Sequence, residues 1–166
     1  MYFNMDKTIL VIDVGNTNTV FALVNNDGIY HKWRMSTSVN RTSDEYETHI
    51  SAYLSKISNF KIDDVVISSV VPSINYELQS FVLRFFNIIP KLVGDTIHPN
   101  IDISLERPDE VGADRLVNSL AANKIYGGPI IVVDFGTATT FDIVSKEGIY
   151  IGGIISPGVY LSMDAL

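Results

Sequence analysis

The stretch Ile9-Leu-Val-Ile-Asp-Val-Gly-Asn-Thr-Asn-Thr19 recurs without a gap as Ile130-Ile-Val-Val-Asp-Phe-Gly-Thr-Ala-Thr-Thr140. Ile9/Ile130, Val11/Val132, Asp13/Asp134, Gly15/Gly136 and Thr19/Thr140 are identical, and with one residue of slack Gly28-Ile-Tyr30 falls on Gly148-Ile-Tyr150. A period this long is no solenoid. Each copy is a short aliphatic run ending in Asp, then a Gly/Thr/Asn turn, then a second apolar segment, which is the pattern of a buried strand turning back on its neighbour. The expectation is an α/β protein of two related domains, each opening on the same β-hairpin.

Working outward from the first copy, strands are predicted at Thr8–Val14, Thr19–Asn25 and Ile29–Met35, with a turn at Asn26-Asp27-Gly28. Thr42 and Glu45 form a capping box, and Tyr46, Ile50, Tyr53, Leu54 and Ile57 recur at helical spacing, so a helix is predicted over Ser43–Ser58. A strand over Asp64–Val70, a helix over Ile74–Phe86 and a returning strand at Lys91–Val93 make this an α/β unit with a mixed sheet. Gly94–Glu110 has little periodicity and reads as a linker or site loop. The second domain opens with a helix over Ala113–Tyr126, its apolar face drawn from Leu116, Val117, Leu120, Ala121 and Ile125. Strands near Ile130–Phe135, Thr140–Val144 and Gly148–Ile155 follow. The expected domains are residues 1–110 and 111–166. The second has fewer elements than the first, so its sheet is expected to be incomplete at its C-terminal end, leaving apolar surface for a partner or further chain to cover.

Composition narrows the partners. The chain has 166 residues, 46% of them hydrophobic, enough for one ordinary domain or two small ones. With 12 Lys+Arg against 19 Asp+Glu it lacks the basic footprint of a nucleic-acid binder, and none is expected as a partner. It has no Cys, which removes disulfides, thiolate metal sites and cysteine nucleophiles and makes a reducing cytoplasm the expected location. The opening MYFNMDKTILVIDVG has no basic flank and its apolar run is cut by Lys7 and Asp13, so it reads as neither a signal peptide nor a membrane span. His31, His49 and His98 lack metal-ligand spacing. There is no G-x-x-x-x-G-K-[ST] loop and no Ser-His-Asp set.

The paired turns carry the chemistry. Glycine lets the backbone approach closely, so that successive N–H groups with Thr and Asn side chains can face an anion. The Asp before each turn can hold a hard cation, magnesium or potassium. One such turn is commonly structural; two aligned copies favour closure on one polyphosphate from both sides of a cleft. In Glu110-Val-Gly-Ala-Asp-Arg115 the two charged residues at the end fall in the first turn of a helix. Asp114 there either complements the helix dipole or serves as a general base, and Arg115 either makes a surface pair or clamps an anion. Gly152-Gly153-Ile-Ile-Ser-Pro-Gly158 reads as a strand end or as a backbone wall for a substrate. Arg34 and Arg41 bracket a Ser/Thr-rich loop that reads either as a phosphate contact or as an ordinary loop, and Trp33 reads as core.

DVGNTN at 13–18, SSVVPS at 68–73, EVGADR at 110–115, DFGTATTFD at 134–142 and GGIISPG at 152–158, in that order, resemble the type III pantothenate kinases. The resemblance implies two ribonuclease-H-like domains of the actin-like superfamily, with transfer of the ATP γ-phosphate to pantothenate in coenzyme A synthesis. It implies ATP contacts from Asp13, Val14, Gly15, Asn16, Thr17, Asn18, Thr19 and Val20, and a further one from Thr137. It also implies magnesium, a monovalent cation (potassium or ammonium) on Asp134, and pantothenate at Gly112, Ala113, Asp114 and Arg115, with Asp114 accepting the proton. A homodimer is implied as well. The resemblance departs at Leu105, where members of the family often have a tyrosine that contacts pantothenate, leaving at most an apolar wall. Alternatives are another actin-like kinase acting on a sugar, acetate or polyphosphate, a non-catalytic nucleotide- or pantothenate-binding regulator, or an inactive fragment.

Overall fold

The computed structural model describes residues 7–57 and 61–166. They fall in two compact units, Met1–Ile97 and His98–Leu166. The first six residues of the opening stretch, read as neither signal peptide nor membrane span, and the predicted last helical residue, Ser58, lie outside the described residues.

In the first unit, β1 (Thr8–Val14), β2 (Asn18–Asn25) and β3 (Gly28–Ser36) form an antiparallel meander. Helix α1 (Ser43–Leu54) leads to β4 (Ile62–Ser69), which pairs parallel with β1; α2 (Asn75–Phe86) leads to β5 (Lys91–Leu92), parallel with β4. The strand order β3-β2-β1-β4-β5 is the mixed sheet that the sequence predicts. Alternation along β1 sends Leu10, Ile12 and Val14 into the core while Asp13 stays exposed. Those three meet Phe21, Leu23, Val65 and Ile67 from the sheet and Tyr46, Ile50, Leu78 and Phe81 from the helices. Trp33 lies stacked between Phe21 and Tyr53, with ring centroids 5.7 Å and 5.4 Å away.

The predicted capping box is present: Thr42 Oγ1 accepts from Glu45 N, and Glu45 Oε2 accepts from Thr42 N at 2.8 Å. The helix is shorter than its periodicity suggests, ending at Leu54 with only turns through Ile57. Pro72 starts a single 3-10 turn over Pro72–Ile74 ahead of α2, as its fixed φ and missing N–H favour at a helix start. Arg41 donates to Ser36 O at 2.7 Å and lies over the Tyr46 ring, so it closes its own loop.

In the second unit, α3 (Ala113–Tyr126) precedes β6 (Ile130–Phe135), β7 (Ala138–Val144) and β8 (Tyr150–Pro157), and α4 (Val159–Ala165) follows. The three strands pair antiparallel in the order β6-β7-β8, and Ile103 adds a parallel bridge to Tyr150 at the start of β8. The 98–110 loop lies with this unit rather than with the first, where the sequence boundary at 110/111 puts it. Tyr150 N donates to Asp102 O at 2.8 Å, and Ser104 N to Tyr150 O at 2.9 Å. Sheet-type bonds between residues so far apart leave no local pattern to read.

On α3 the expected apolar face is only partly buried. Leu116 and Ser119 point inward, whereas Val117 and Ile125 are exposed. Ile131, Phe135, Ile154 and Ile155 are also exposed, matching the expectation of uncovered apolar surface on this sheet, and so is Tyr160 on α4. Among the described residues no helix is long and apolar enough to cross a membrane.

Candidate active site

The first glycine turn joins β1 to β2. Gly15 N donates to Asn18 O at 3.0 Å, and a Cβ on Gly15 would stand 3.3 Å from that oxygen, so a side chain would crowd the closure. Asn16, Thr17 and Asn18 are exposed at the tip, while Val14 and Thr19 anchor it from inside. Thr37, just beyond β3, completes the turn. Its hydroxyl donates to Gly15 O at 2.7 Å, its N–H donates to Thr17 O at 2.9 Å, and its Oγ1 lies 2.9 Å from the fully buried Thr19 Oγ1. Because the Thr37 proton goes to Gly15, Thr19 is the donor to Thr37. Nothing in the spacing of the chain marks Thr37, since its partners lie about twenty residues away across two strands.

Replacing Thr37 with Val keeps the shape but strands a buried hydroxyl. A loss of about 1–3 kcal/mol is expected for the first unit. Urea unfolding followed by Trp33, the one tryptophan in the chain, measures it. Thr37→Ser should lose much less.

The second turn, between β6 and β7, is the tighter of the two. Gly136 N bonds to Ala138 O at 3.0 Å, closing one residue sooner than in the first copy. In the first hairpin Val14 faces Thr19 and Asp13 faces Val20; in the second Phe135 faces Thr139 and Asp134 faces Thr140. The residue equivalent to Thr19 in the ladder is therefore Thr139, which is also buried, and not the Thr140 with which it aligns in sequence. A gapless alignment preserves residue order and says nothing of hydrogen-bond register. Gly158 lies against this turn: a Cβ there would come within 2.3 Å of Thr137 O and 2.7 Å of Gly136 O. Thr137 itself is exposed at the tip.

Asp114 is in the first turn of α3, which Gly112 and Ala113 open, and its Oδ1 accepts from Arg115 N at 2.8 Å. The same helix reaches the second hairpin, because Asn118, one turn further along, donates from Nδ2 to Asp134 Oδ2 at 3.2 Å. Asn118 escapes sequence reading; its only mark is the four-residue step from Asp114 along one helix face.

Arg115 turns the other way, into a cavity of about 480 Å³ whose lining includes Leu105, Glu110, Val111, Tyr150 and Gly153. That volume is in the range of small-molecule sites. Leu105 gives it the apolar wall left open by the sequence. Of its two arginines, Arg107 is exposed and paired with Glu110 at 2.6 Å. Arg115 is the less exposed one. Its Nε donates to Asp142 Oδ1 at 2.8 Å and its Nη2 lies 2.7 Å from the same oxygen. Tyr150 donates its hydroxyl to that oxygen at 2.6 Å, and Thr140 Oγ1 stands 3.4 Å from Oδ2. Burial, with the bond to Asp142 and its negative charge, pushes the Tyr150 phenol well above the ordinary tyrosine range.

Among the described residues no three His, Cys, Asp or Glu side chains gather into a metal cage. Single exposed carboxylates at Asp13 and Asp134 fit a cation held jointly by protein and phosphate oxygens, the usual arrangement for magnesium.

The family model for type III pantothenate kinase matches residues 9–166. The chain belongs to that family. It is 50% identical over 161 residues to the type III pantothenate kinase of Rhodospirillum rubrum, covering 95% of this chain and 63% of that protein. To those of Exiguobacterium and Caulobacter vibrioides it is 45% and 46% identical over 160 residues, again 95% of this chain, and 63% and 61% of theirs. The chain thus spans a little under two thirds of the length of these members of the family.

Among solved structures it resembles an Aquifex aeolicus Ppx/GppA phosphatase, with a TM-score of 0.59 at 17% identity over 96% of this chain and 55% of that one. It also resembles the ethanolamine utilization protein EutJ of Carboxydothermus hydrogenoformans, with a TM-score of 0.52 at 14% identity over 93% and 54%. At such identities the likeness is one of α/β fold alone.

Proposed function

We propose that this chain transfers the γ-phosphate of ATP to the primary hydroxyl of pantothenate, giving 4'-phosphopantothenate and ADP, the first step of coenzyme A synthesis. The observation that carries the reading is the start of α3, where Asp114 and Arg115 stand side by side and Arg115 lines a cavity of small-molecule size. Pantothenate is a carboxylate with an alcohol at its far end. Arg115 is the cation for the carboxylate, and Gly112 and Ala113 bring the helix N-terminus close to the bound acceptor.

In the reaction the hydroxyl oxygen forms a bond to the γ-phosphorus, the bond from that phosphorus to the β-bridging oxygen breaks, and ADP leaves with the electron pair. Asp114 takes the hydroxyl proton. The run Asp13, Val14, Gly15, Asn16, Thr17, Asn18, Thr19 and Val20 offers N–H groups and hydroxyls to phosphate oxygens, and Thr137 contributes from the second turn. Asp13 fits magnesium, and Asp134, oriented by Asn118, fits potassium or ammonium; bound cations there would neutralise charge on the phosphates. The exposed apolar side chains of β6, β8 and α4 support a homodimer, and the lack of cysteine supports a cytoplasmic setting.

A coupled ADP-release assay of the chain with pantothenate, acetate and a hexose tests this. ADP release with pantothenate alone, stimulated by potassium or ammonium, is the expected result. Release with another acceptor overturns the reading, and so does calorimetric binding of pantothenate and ATP without any ADP formed.

A further inference from the structure

We propose that Asp142 is a positioning residue for the acceptor site: its buried carboxylate, reached by the Tyr150 hydroxyl and left clear by the missing side chain of Gly153, sets the Arg115 guanidinium in the cavity wall. The role of Arg115 toward pantothenate rests on the function proposed above. Its seat does not.

Three elements converge on this carboxylate. Asp142, on β7, is 1% exposed, and its Oδ1 receives Arg115 Nε from α3 and the Tyr150 hydroxyl from β8. A carboxylate so fully buried is tolerable only when paired and hydrogen-bonded, and here both conditions are met. Gly153, opposite Asp142 in the β7–β8 ladder, makes the space. A Cβ there would lie 2.2 Å from Arg115 Nη2, 2.3 Å from Phe141 O and 2.8 Å from Asp142 Oδ1. Any larger residue would displace the guanidinium from its seat.

The arrangement uses only one edge of the arginine fork. Nε and Nη2 are turned to Asp142 and Nη2 is buried, so in this proposal it is Nη1 that is left for an anion in the cavity. Without Asp142 the guanidinium keeps its charge and loses its direction. Pairing the two also restrains Arg115 before the acceptor arrives, lowering the ordering cost of binding.

Two readouts test the proposal. In Asp142→Asn, KM for pantothenate should rise about 10–100-fold, well beyond any fall in kcat, with KM for ATP nearly unchanged. Independently of any substrate, the Arg115 Nε–H signal in nitrogen-15 NMR should exchange with water faster, and the late-titrating Tyr150 phenol should move back toward the ordinary tyrosine range. Tyr150→Phe, which removes only a hydroxyl from a side chain that stays buried, covers the case in which Asp142→Asn does not fold. It should raise KM for pantothenate several-fold and loosen the same Nε–H. An unchanged Arg115 Nε–H in the folded variants overturns the seat, as does a fall in kcat with KM unmoved. If the unaltered chain shows no pantothenate turnover while the NMR and phenol shifts occur as described, the seat stands and the functional reading fails.

Discussion

Replacing Asp114 with Asn should lower turnover of pantothenate by about 10²–10⁴-fold, the usual worth of a positioned base. The substitution is conservative in shape. The Asp114 Oδ1 that accepts from Arg115 N becomes an amide oxygen that can accept the same bond, so the first turn of α3 should keep its geometry. What is lost is a group able to take the hydroxyl proton as the bond to phosphorus forms. The loss should therefore appear in kcat, with ATP binding by calorimetry nearly unaltered. Undiminished turnover would remove Asp114 from the mechanism, and a matching loss of ATP affinity would mean that the turn itself had been disturbed.

The largest expected effect on stability is at Phe81. Its ring is fully buried in α2 and packs against Tyr46 at 6.2 Å, Phe85 at 5.8 Å and Phe86 at 5.6 Å between centroids. Phe81→Ala removes the ring and leaves a cavity bordered by rigid aromatic neighbours, which relax poorly, so a cost of about 3–5 kcal/mol is expected. Trp33 belongs to the same core, so its fluorescence during urea unfolding reports the first unit directly. A shift of under about 1 kcal/mol would show that the site collapses around the smaller side chain.

The two predictions differ in how readily the sequence yields their residues. Phe81 lies within the helix that the sequence predicts over Ile74–Phe86, and the left-handed Asn87 cap ends that helix in the structure. Asp114 follows from its place at the start of a helix beside Arg115, and more firmly from the family motif. The seat of Arg115 is a different matter. Asp142 reads locally as one polar residue in an alternating strand, Tyr150 as an ordinary aromatic, and Gly153 as a strand-end glycine. Only their convergence makes them a set.

The hairpins show the same division more finely. Both are evident from aliphatic runs broken by glycine turns, yet the one-residue difference in closure, which makes Thr139 and not Thr140 the counterpart of Thr19, is marked in the letters only by the one residue of slack that brings Gly28 onto Gly148. Thr37 and Asn118 are invisible for a related reason: each acts on a residue in another element, with a side chain unremarkable in its own.

By itself the amino-acid order determined the strands, the three longer helices, the duplication and the residue types at the two glycine turns, because strand alternation, helix spacing, capping and glycine turns are set by interactions within a few residues. Only the tertiary structure decided how the second hairpin closes, which unit owns the 98–110 loop, which side of α3 is buried and where Arg115 is anchored. Those outcomes depend on packing and hydrogen bonds between segments distant along the chain, whose energies no local pattern records.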